Sequence, residues 1–327
     1  MKDCPWIEEY RPKSLDDIFG QDSVIKRLKR WSKAIKKGNK SMPHFLFAGR
    51  TAGNGKTSVA MAFMRDTFGD QWENNWIQFN ASDKRGIDFI RGEIKDFAKK
   101  SVIPHSKLGK VFNVIFLDEA DALTPEAQAA MRGEMEQLVK TCRFILTCNF
   151  LSKIIEPIRN RCLPFRFRPL PKSDIVKVLK KIIKIEEIDI ESEAILKIAE
   201  NSKGSARTAI NILNDLSLIP AEITPGDVSE VIPILDTSEA SKLLKSALSA
   251  SISVVDEAVI EVYDNGYTSE EIFDAIYDLL ILSKLPDKTV RKIMAKMMDV
   301  EFHIACGCNE LRQLRGFFIW LSLKAKK

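Results

Sequence analysis

The chain has 327 residues and a formal net charge of +5, with 45% hydrophobic and 29% charged residues. That length exceeds one small core and predicts two or three domains of ordinary globular composition. No uninterrupted apolar run of about 18 residues is present, so no membrane span is expected.

The opening MKDCPWIEEYRP lacks the apolar stretch of a secretory signal. Pro12 and Gly20 predict an extended arm leading to a short helix, on which Tyr10 packs against its own domain or stacks on a ligand ring. Residues 26–40 carry Lys26, Arg27, Lys29, Arg30, Lys33, Lys36, Lys37 and Lys40 with no acid between them. The run reads first as a solvated helix face; attraction of a polyanion is the alternative.

His44 to Gly49 is a short apolar run that predicts a buried strand. The turn Arg50-Thr51-Ala52-Gly53-Asn54-Gly55 follows, then Lys56-Thr57-Ser58 and a helix opening at Val59. Strand, glycine-bearing loop, Lys-Thr and helix form a phosphate cradle. Glycines let backbone N–H groups converge on an anion, and the helix start adds its positive dipole end. Lys56 is placed to reach the outer phosphates and the Thr57 hydroxyl to hold magnesium. The usual spacing, G-x-x-x-x-G-K-[ST], is met only if the loop from Gly49 is one residue longer. The competing reading is a plain turn before a helix.

Residues 76–80 alternate as a second strand, and Ala81-Ser82-Asp83-Lys84-Arg85-Gly86 precedes a helical pattern through Ile87, Ile90, Ile94 and Phe97. Ser82 or Asp83 is expected to cap that helix. Val111 to Leu117 is the strongest strand and runs into Asp118-Glu119-Ala120-Asp121. Acids at the carboxyl end of a buried strand sit where open α/β sheets place ligand chemistry. Asp118 suits magnesium held through water and Glu119 an attacking water; a helix start that favours acids is the alternative. Thr124 and Pro125 predict a helix running to about Val139. Residues 143–149 form another strand, which leaves Asn149 beside the acids and near a terminal phosphate. Phe165-Arg166-Phe167 is the last short strand. Strands and helices alternate over residues 44–168, so a mostly parallel sheet covered by helices is expected.

Pro164, Pro169 and Pro171 mark a break. Residues 173–185, 191–201, 205–218 and 225–232 read as short helices of a small all-α domain, and Pro233 marks a second boundary. Further helical patterns fill 238–327. The last, Val300 to Leu323, is too apolar for a lone helix and suggests burial among others, in one chain or across subunits. The six cysteines (Cys4, Cys142, Cys148, Cys162, Cys306, Cys308) are scattered without a C-x-x-C pair, which argues against a disulfide framework or zinc and for a reducing compartment. His44, His105 and His303 lie far apart and are not read as ligands or bases.

EEYRPKSLDDIFGQ, the Gly-Lys-Thr loop, NASDKRGI, IFLDEADALT, FILTCN, KIIEPIRNRC, FRFRPL, GSARTAIN and DVEFHIACGCNELRQL stand in order along nearly the whole chain. Together they resemble the small subunits of replication factor C, the archaeal-type sliding-clamp loader of the AAA+ ATPase family. The resemblance implies an α/β P-loop AAA+ module over 1–168, a helical lid over 169–232 and a helical collar, the oligomerisation domain, over 233–327. It implies ATP and Mg2+ as ligands. The implied partners are other small and large subunits in a pentameric ring, the sliding clamp and primer–template DNA, with no membrane. The location implied is the cytoplasm, at the nucleoid, for an archaeal chain and the nucleus for a eukaryotic one. ATP would lie against Tyr10, Arg11, Gly53, Asn54, Gly55, Lys56, Thr57 and Ser58, with Thr57 and Asp118 on the metal and Glu119 on the water. Asn149 resembles the first phosphate sensor and Arg207 the second. Asn80 occupies the position that restrains Glu119 until DNA arrives. Arg161 resembles the arginine finger given to the next subunit's ATP. Arg85, then Lys84, are the implied DNA contacts.

The chain departs from the family pattern in places. The phosphate loop reads GRTAGNGKT rather than GPPGxGKT, Asn160 replaces a serine before Arg161, Thr208 replaces a second lid arginine, and Gly133 replaces a basic residue after Arg132. Two other readings therefore stand beside a working ATPase: a non-hydrolysing ring member that only lends Arg161, and another AAA+ DNA motor such as a branch-migration helicase.

Overall fold

The computed structural model describes all residues except 1–3, 40, 84, 101, 104–107, 109–111, 233–236, 250, 284 and 326–327. Lys40, Lys84, His105, Val111 and Pro233, all singled out above, lie outside the described residues. The chain divides into two compact units, 1–228 and 229–327.

The first unit is built on a parallel sheet of β1 (His44–Ala48), β2 (Trp76–Asn80), β3 (Asn113–Asp118), β4 (Cys142–Cys148) and β5 (Cys162–Arg166), in the order β2-β3-β4-β1-β5 among the described residues. Pairings such as Ala48↔Cys148, Asn80↔Asp118 and Ala48↔Arg166 bring the carboxyl ends of the strands to one edge of the sheet. β1 and β4 are buried along their full length, as central parallel strands covered on both faces must be. β2, at the sheet edge, is only half buried.

Strand alternation sends side chains to two cores. Phe45, Phe47, Val114, Phe116, Ile145 and Phe165 pack on one face beneath α2 (Asp22–Lys36) and α3 (Lys56–Phe68). Leu46, Ile115, Leu117, Phe144 and Leu146 pack on the other with α6 (Pro125–Gln137). The arm before α2 is short helical pieces, α1 (Trp6–Glu9) and a 3-10 turn at Leu15–Asp17, rather than extended chain. From Lys26 to Lys36 the basic run lies on α2 and Lys37 caps it, with Lys26, Lys29, Arg30, Lys33, Lys36 and Lys37 exposed.

The helical run after β2 opens at Ile87, where the apolar pattern begins, but with a different cap. Its cap is Gly86, not Ser82 or Asp83, and it passes through α4 (Ile87–Phe89), a π-turn at Ile90–Ile94 and α5 (Lys95–Lys99). Ser82 is drawn away because its N–H and hydroxyl both bond the Asn80 Oδ1, closing a turn at the strand end. At α6 the expected signals operate: Thr124 accepts from the Ala127 N–H, and Pro125 takes the first helical position. The short α7 (Glu156–Arg159) leads to β5.

Helices α8 (Lys172–Glu186), α9 (Ser192–Asn201), α10 (Ala206–Leu216) and α11 (Pro225–Val231) complete the first unit, the division falling inside α11. The second unit contains α12 (Thr237–Ser249), α13 (Ile252–Asp264), α14 (Ser269–Leu282), α15 (Asp287–Ala305) and α16 (Glu310–Ala325), packed around Phe273, Leu314, Phe317 and Phe318. Arg315 clamps Asp256 with two hydrogen bonds of 2.6 and 2.7 Å, tying α16 to α13. The apolar pattern from Val300 to Leu323 is therefore two helices, not one. Gly307 takes φ +90°, and the Asn309 side chain accepts from the Arg312 N–H to start α16.

Candidate active site

The carboxyl edge of the sheet opens into a cavity of ≈ 560 Å³. It is lined by α1 and the following turn, the loop before α3, the ends of β3 and β4, and faces of α8 and α10. Tyr10, Arg11, Gly53, Asn54, Gly55, Lys56, Thr57, Ser58, Asp118, Glu119, Asn149 and Arg207 all line it.

The loop is shaped by glycine at two positions. Gly53 and Gly55 take φ +72° and +94°, which L side chains rarely adopt. At Gly53 the close approach matters as well: an added Cβ would stand 2.4 Å from Ser205 Oγ and 2.8 Å from Arg207 Cβ. The Ala206 N–H donates to the Gly53 carbonyl at 3.1 Å. The start of α10 is thus seated directly on the loop, which places Arg207 at the cavity wall.

Lys56 is only 8% exposed. Its ammonium donates to the carbonyls of Gly49 (2.7 Å) and Thr51 (3.2 Å) and to Asn149 Oδ1 (2.9 Å). The longer loop therefore still closes around the lysine. Burial lowers the Lys56 pKa, and the nearby Asp118 carboxylate opposes that shift. Thr57 Oγ1 donates to Asp118 Oδ2 at 2.8 Å, while the Thr147 hydroxyl donates to Asp118 Oδ1. Thr147 Oγ1 also accepts from the Glu119 N–H at 3.0 Å. Glu119 sits at φ +54°, a strained value for a residue with a side chain.

These groups fit a magnesium–triphosphate. Glycine-shaped backbone, one buried ammonium and a helix start suit phosphates, and a hydroxyl beside a carboxylate suits a hard cation. Asn54 Nδ2, on a residue 1% exposed, is a buried loop donor with no hydrogen-bond partner among the described residues.

Other predicted residues lie apart from this group. Asn80 Oδ1 is engaged by Ser82, as described, one strand over from Glu119. Arg85 donates to the Ser82 carbonyl at 2.9 Å and is exposed. Arg161 is not a lining residue; it reaches from the turn before β5 to Glu136 on α6. The Tyr10 hydroxyl donates to Glu186 at the end of α8.

Three residues had no role assigned from the sequence. Thr147 orients both acids; its signal was one hydroxyl inside an apolar strand. Asp121 accepts from the N–H groups of Asn149 (3.3 Å) and Phe150 (3.0 Å), so the third acid of the cluster holds the end of β4. Gln21 bonds Arg168 through N–H and C=O, at 3.2 and 2.6 Å, and touches the loop at the Asn54 carbonyl. No local signal pointed to that last contact.

Comparison with known proteins accords with this geometry. Residues 45–170 match the ATPase family associated with various cellular activities (AAA), and residues 236–320 match the replication factor C C-terminal domain. The replication factor C small subunit of Archaeoglobus fulgidus is 39% identical over 326 residues, 98% of each chain. That of Picrophilus torridus is 40% identical over 321 residues, 97% of this chain and 96% of its own. Among solved structures, the Thermotoga maritima RuvB Holliday junction branch migration motor superposes with a TM-score of 0.58, covering 73% of this chain and 80% of its own. At 20% identity, that likeness extends to the fold alone. With both family regions matched and near-complete relatives at this identity, the chain belongs to the replication factor C small subunit family.

Proposed function

We propose that this chain is an ATP-hydrolysing subunit of a sliding-clamp loader. It works in a five-membered ring with other small and large subunits that opens the clamp, engages primer–template DNA and releases the loaded clamp on hydrolysis. The observation that carries this is the cluster at the sheet edge. Lys56 meets Asn149, and Thr57 meets Asp118, inside one cavity that α10 closes at Arg207.

In this reading the loop N–H groups and Lys56 hold the phosphates, and Thr57 and Asp118 hold magnesium, which neutralises phosphate charge. Glu119 orients and polarises the attacking water. Asn149 and Arg207 grip the terminal phosphate from the sheet and lid sides. Tyr10 and Arg11 border the adenine. Arg161, at the surface, serves the neighbouring subunit's ATP as a finger, an addition worth about 10³–10⁵ in rate. Asn80 restrains Glu119 until DNA binds. Arg85, with Lys84, tracks phosphates of one DNA strand.

The 1–168, 169–232 and 233–327 division serves this as motor, lid and collar. Exposed apolar residues in the second unit, Tyr277, Ile281 and Leu282 on α14 with Met298 and Phe302 on α15, support the collar as a contact between subunits. The match of 236–320 to the replication factor C C-terminal domain weighs against a branch-migration motor. The closure of the longer loop around Lys56 weighs against a non-hydrolysing subunit.

The test is magnesium-dependent ATP binding and clamp- and DNA-stimulated turnover of the assembled complex. Lys56→Ala is expected to abolish turnover at this chain's sites. Unchanged turnover would refute the assignment.

A further inference from the structure

Resting on the reading of Arg161 as a finger, the geometry points to Glu136 as the residue that positions it. Arg161 follows α7 in the two-residue turn that enters β5, where both Asn160 and Arg161 are exposed. The Arg161 guanidinium is anchored twice. Nη1 donates to the Pro157 carbonyl at 2.8 Å, and Nη2 donates to Glu136 Oε1. Glu136 stands on the last turn of α6, a helix packed by Met131 and Met135 into the core beneath the sheet. Arg132, one turn earlier on α6, holds its Nε 3.7 Å from the same Glu136 oxygen. The carboxylate is thus braced between two arginines on a rigid element.

The side chains of Arg161 and Glu136 are 36% and 44% exposed, so neither belongs to the core. An exposed pair of this kind adds little stability. Its consequence is conformational: one rotamer of a flexible side chain is selected before a neighbour arrives. The ordering cost of delivering a guanidinium across a subunit boundary is then met within this chain, and the reacting geometry is reached more often. Arg161 makes no other hydrogen bond among the described residues, which leaves its remaining donors for an anion outside the chain. Glu136 touches no substrate in this scheme and acts only through Arg161.

The test is single-turnover ATP hydrolysis by the assembled, clamp- and DNA-bound complex carrying Glu136→Gln, which keeps volume and removes charge. The rate constant is expected to fall about tenfold while the KM for ATP stays within about twofold, because ATP is gripped by the neighbour's own loop. Glu136→Asp should recover part of the loss. In an Arg161→Ala background, Glu136→Gln should change the residual rate by less than about twofold. An unchanged rate in Glu136→Gln, or the same tenfold loss without Arg161, would overturn the inference while leaving the finger intact. Normal turnover in Arg161→Ala would instead remove the finger reading and this inference with it.

Discussion

Glu119 carries a local backbone cost in the site. A φ of +54° on a residue with a Cβ costs roughly 1–3 kcal/mol and persists only where surroundings impose it. Thr147 supplies that constraint, taking the Glu119 N–H and bonding Asp118 with one hydroxyl. Thr147→Val keeps the shape and removes both bonds. It is expected to destabilise the first unit by about 1–3 kcal/mol in urea melts, since a backbone N–H and a carboxylate oxygen lose a partner. Turnover should fall at least about tenfold as the acids lose their orientation. Glu119→Gln separates chemistry from binding. Retained magnesium-dependent ATP binding with turnover reduced about a hundredfold or more is the expected result, checked by filter binding and phosphate release. Equal loss of both would place Glu119 in binding rather than in water activation.

At the level of elements, the decisive contact is the start of α10 against the phosphate loop. Gly53 permits it twice over, by its left-handed φ and by the missing Cβ that would strike Ser205 and Arg207. Gly53→Ala should push α10 off the loop and strain the turn, with the sheet and its cores untouched. The expected outcome is a KM for ATP raised about tenfold and a thermal midpoint lowered by roughly 2–4 °C, read by steady-state kinetics and a melt. The extra loop residue is absorbed in the turn ahead of Gly53, because Gly49 and Thr51 still present their carbonyls to Lys56. Arg85 belongs to the element after β2, where its backbone carbonyl also accepts from the Thr124 N–H at the start of α6. As a phosphate contact, Arg85→Ala should weaken DNA binding evenly across sequences and reduce the salt slope by about one, measured by anisotropy over a salt series.

For the molecule as a whole, two units with separate cores predict two stability responses, and His44 distinguishes them. Its buried ring packs edge-on to Phe144, and Nδ1 accepts from the Phe144 N–H at 3.0 Å. Burial, assisted by the Arg143 charge, lowers its pKa from 6.5 to about 4. Between those values the unfolded chain binds a proton that the folded chain does not, so stability rises with pH across this window. The contribution is complete above pH 6.5 and is lost as pH falls toward 4. From pH 7 to pH 5 the loss is about 2 kcal/mol. Four of the five tryptophans, Trp6, Trp31, Trp72 and Trp76, report on the first unit, and Trp320 on the second. Acid should therefore shift the transition followed by the first set, and His44→Asn should flatten that dependence. A shift confined to Trp320 would contradict the assignment.

Features that depend on near neighbours along the chain are legible in the residues alone. Loop glycines followed by Lys56 and Thr57, an apolar run ending in Asp118 and Glu119, and Thr124-Pro125 at a helix start are local patterns, and each specifies its own backbone. Features that depend on parallel register, and on side chains meeting from distant segments, emerge only once the chain is folded. Thr147 reaches Asp118 because β3 lies beside β4. Arg161 reaches Glu136 because α7 packs beside α6. The break at Gly307 was local but masked, since apolar spacing continued through it. Periodicity reports which face is buried, whereas a single left-handed residue, invisible to that count, decides where a helix stops.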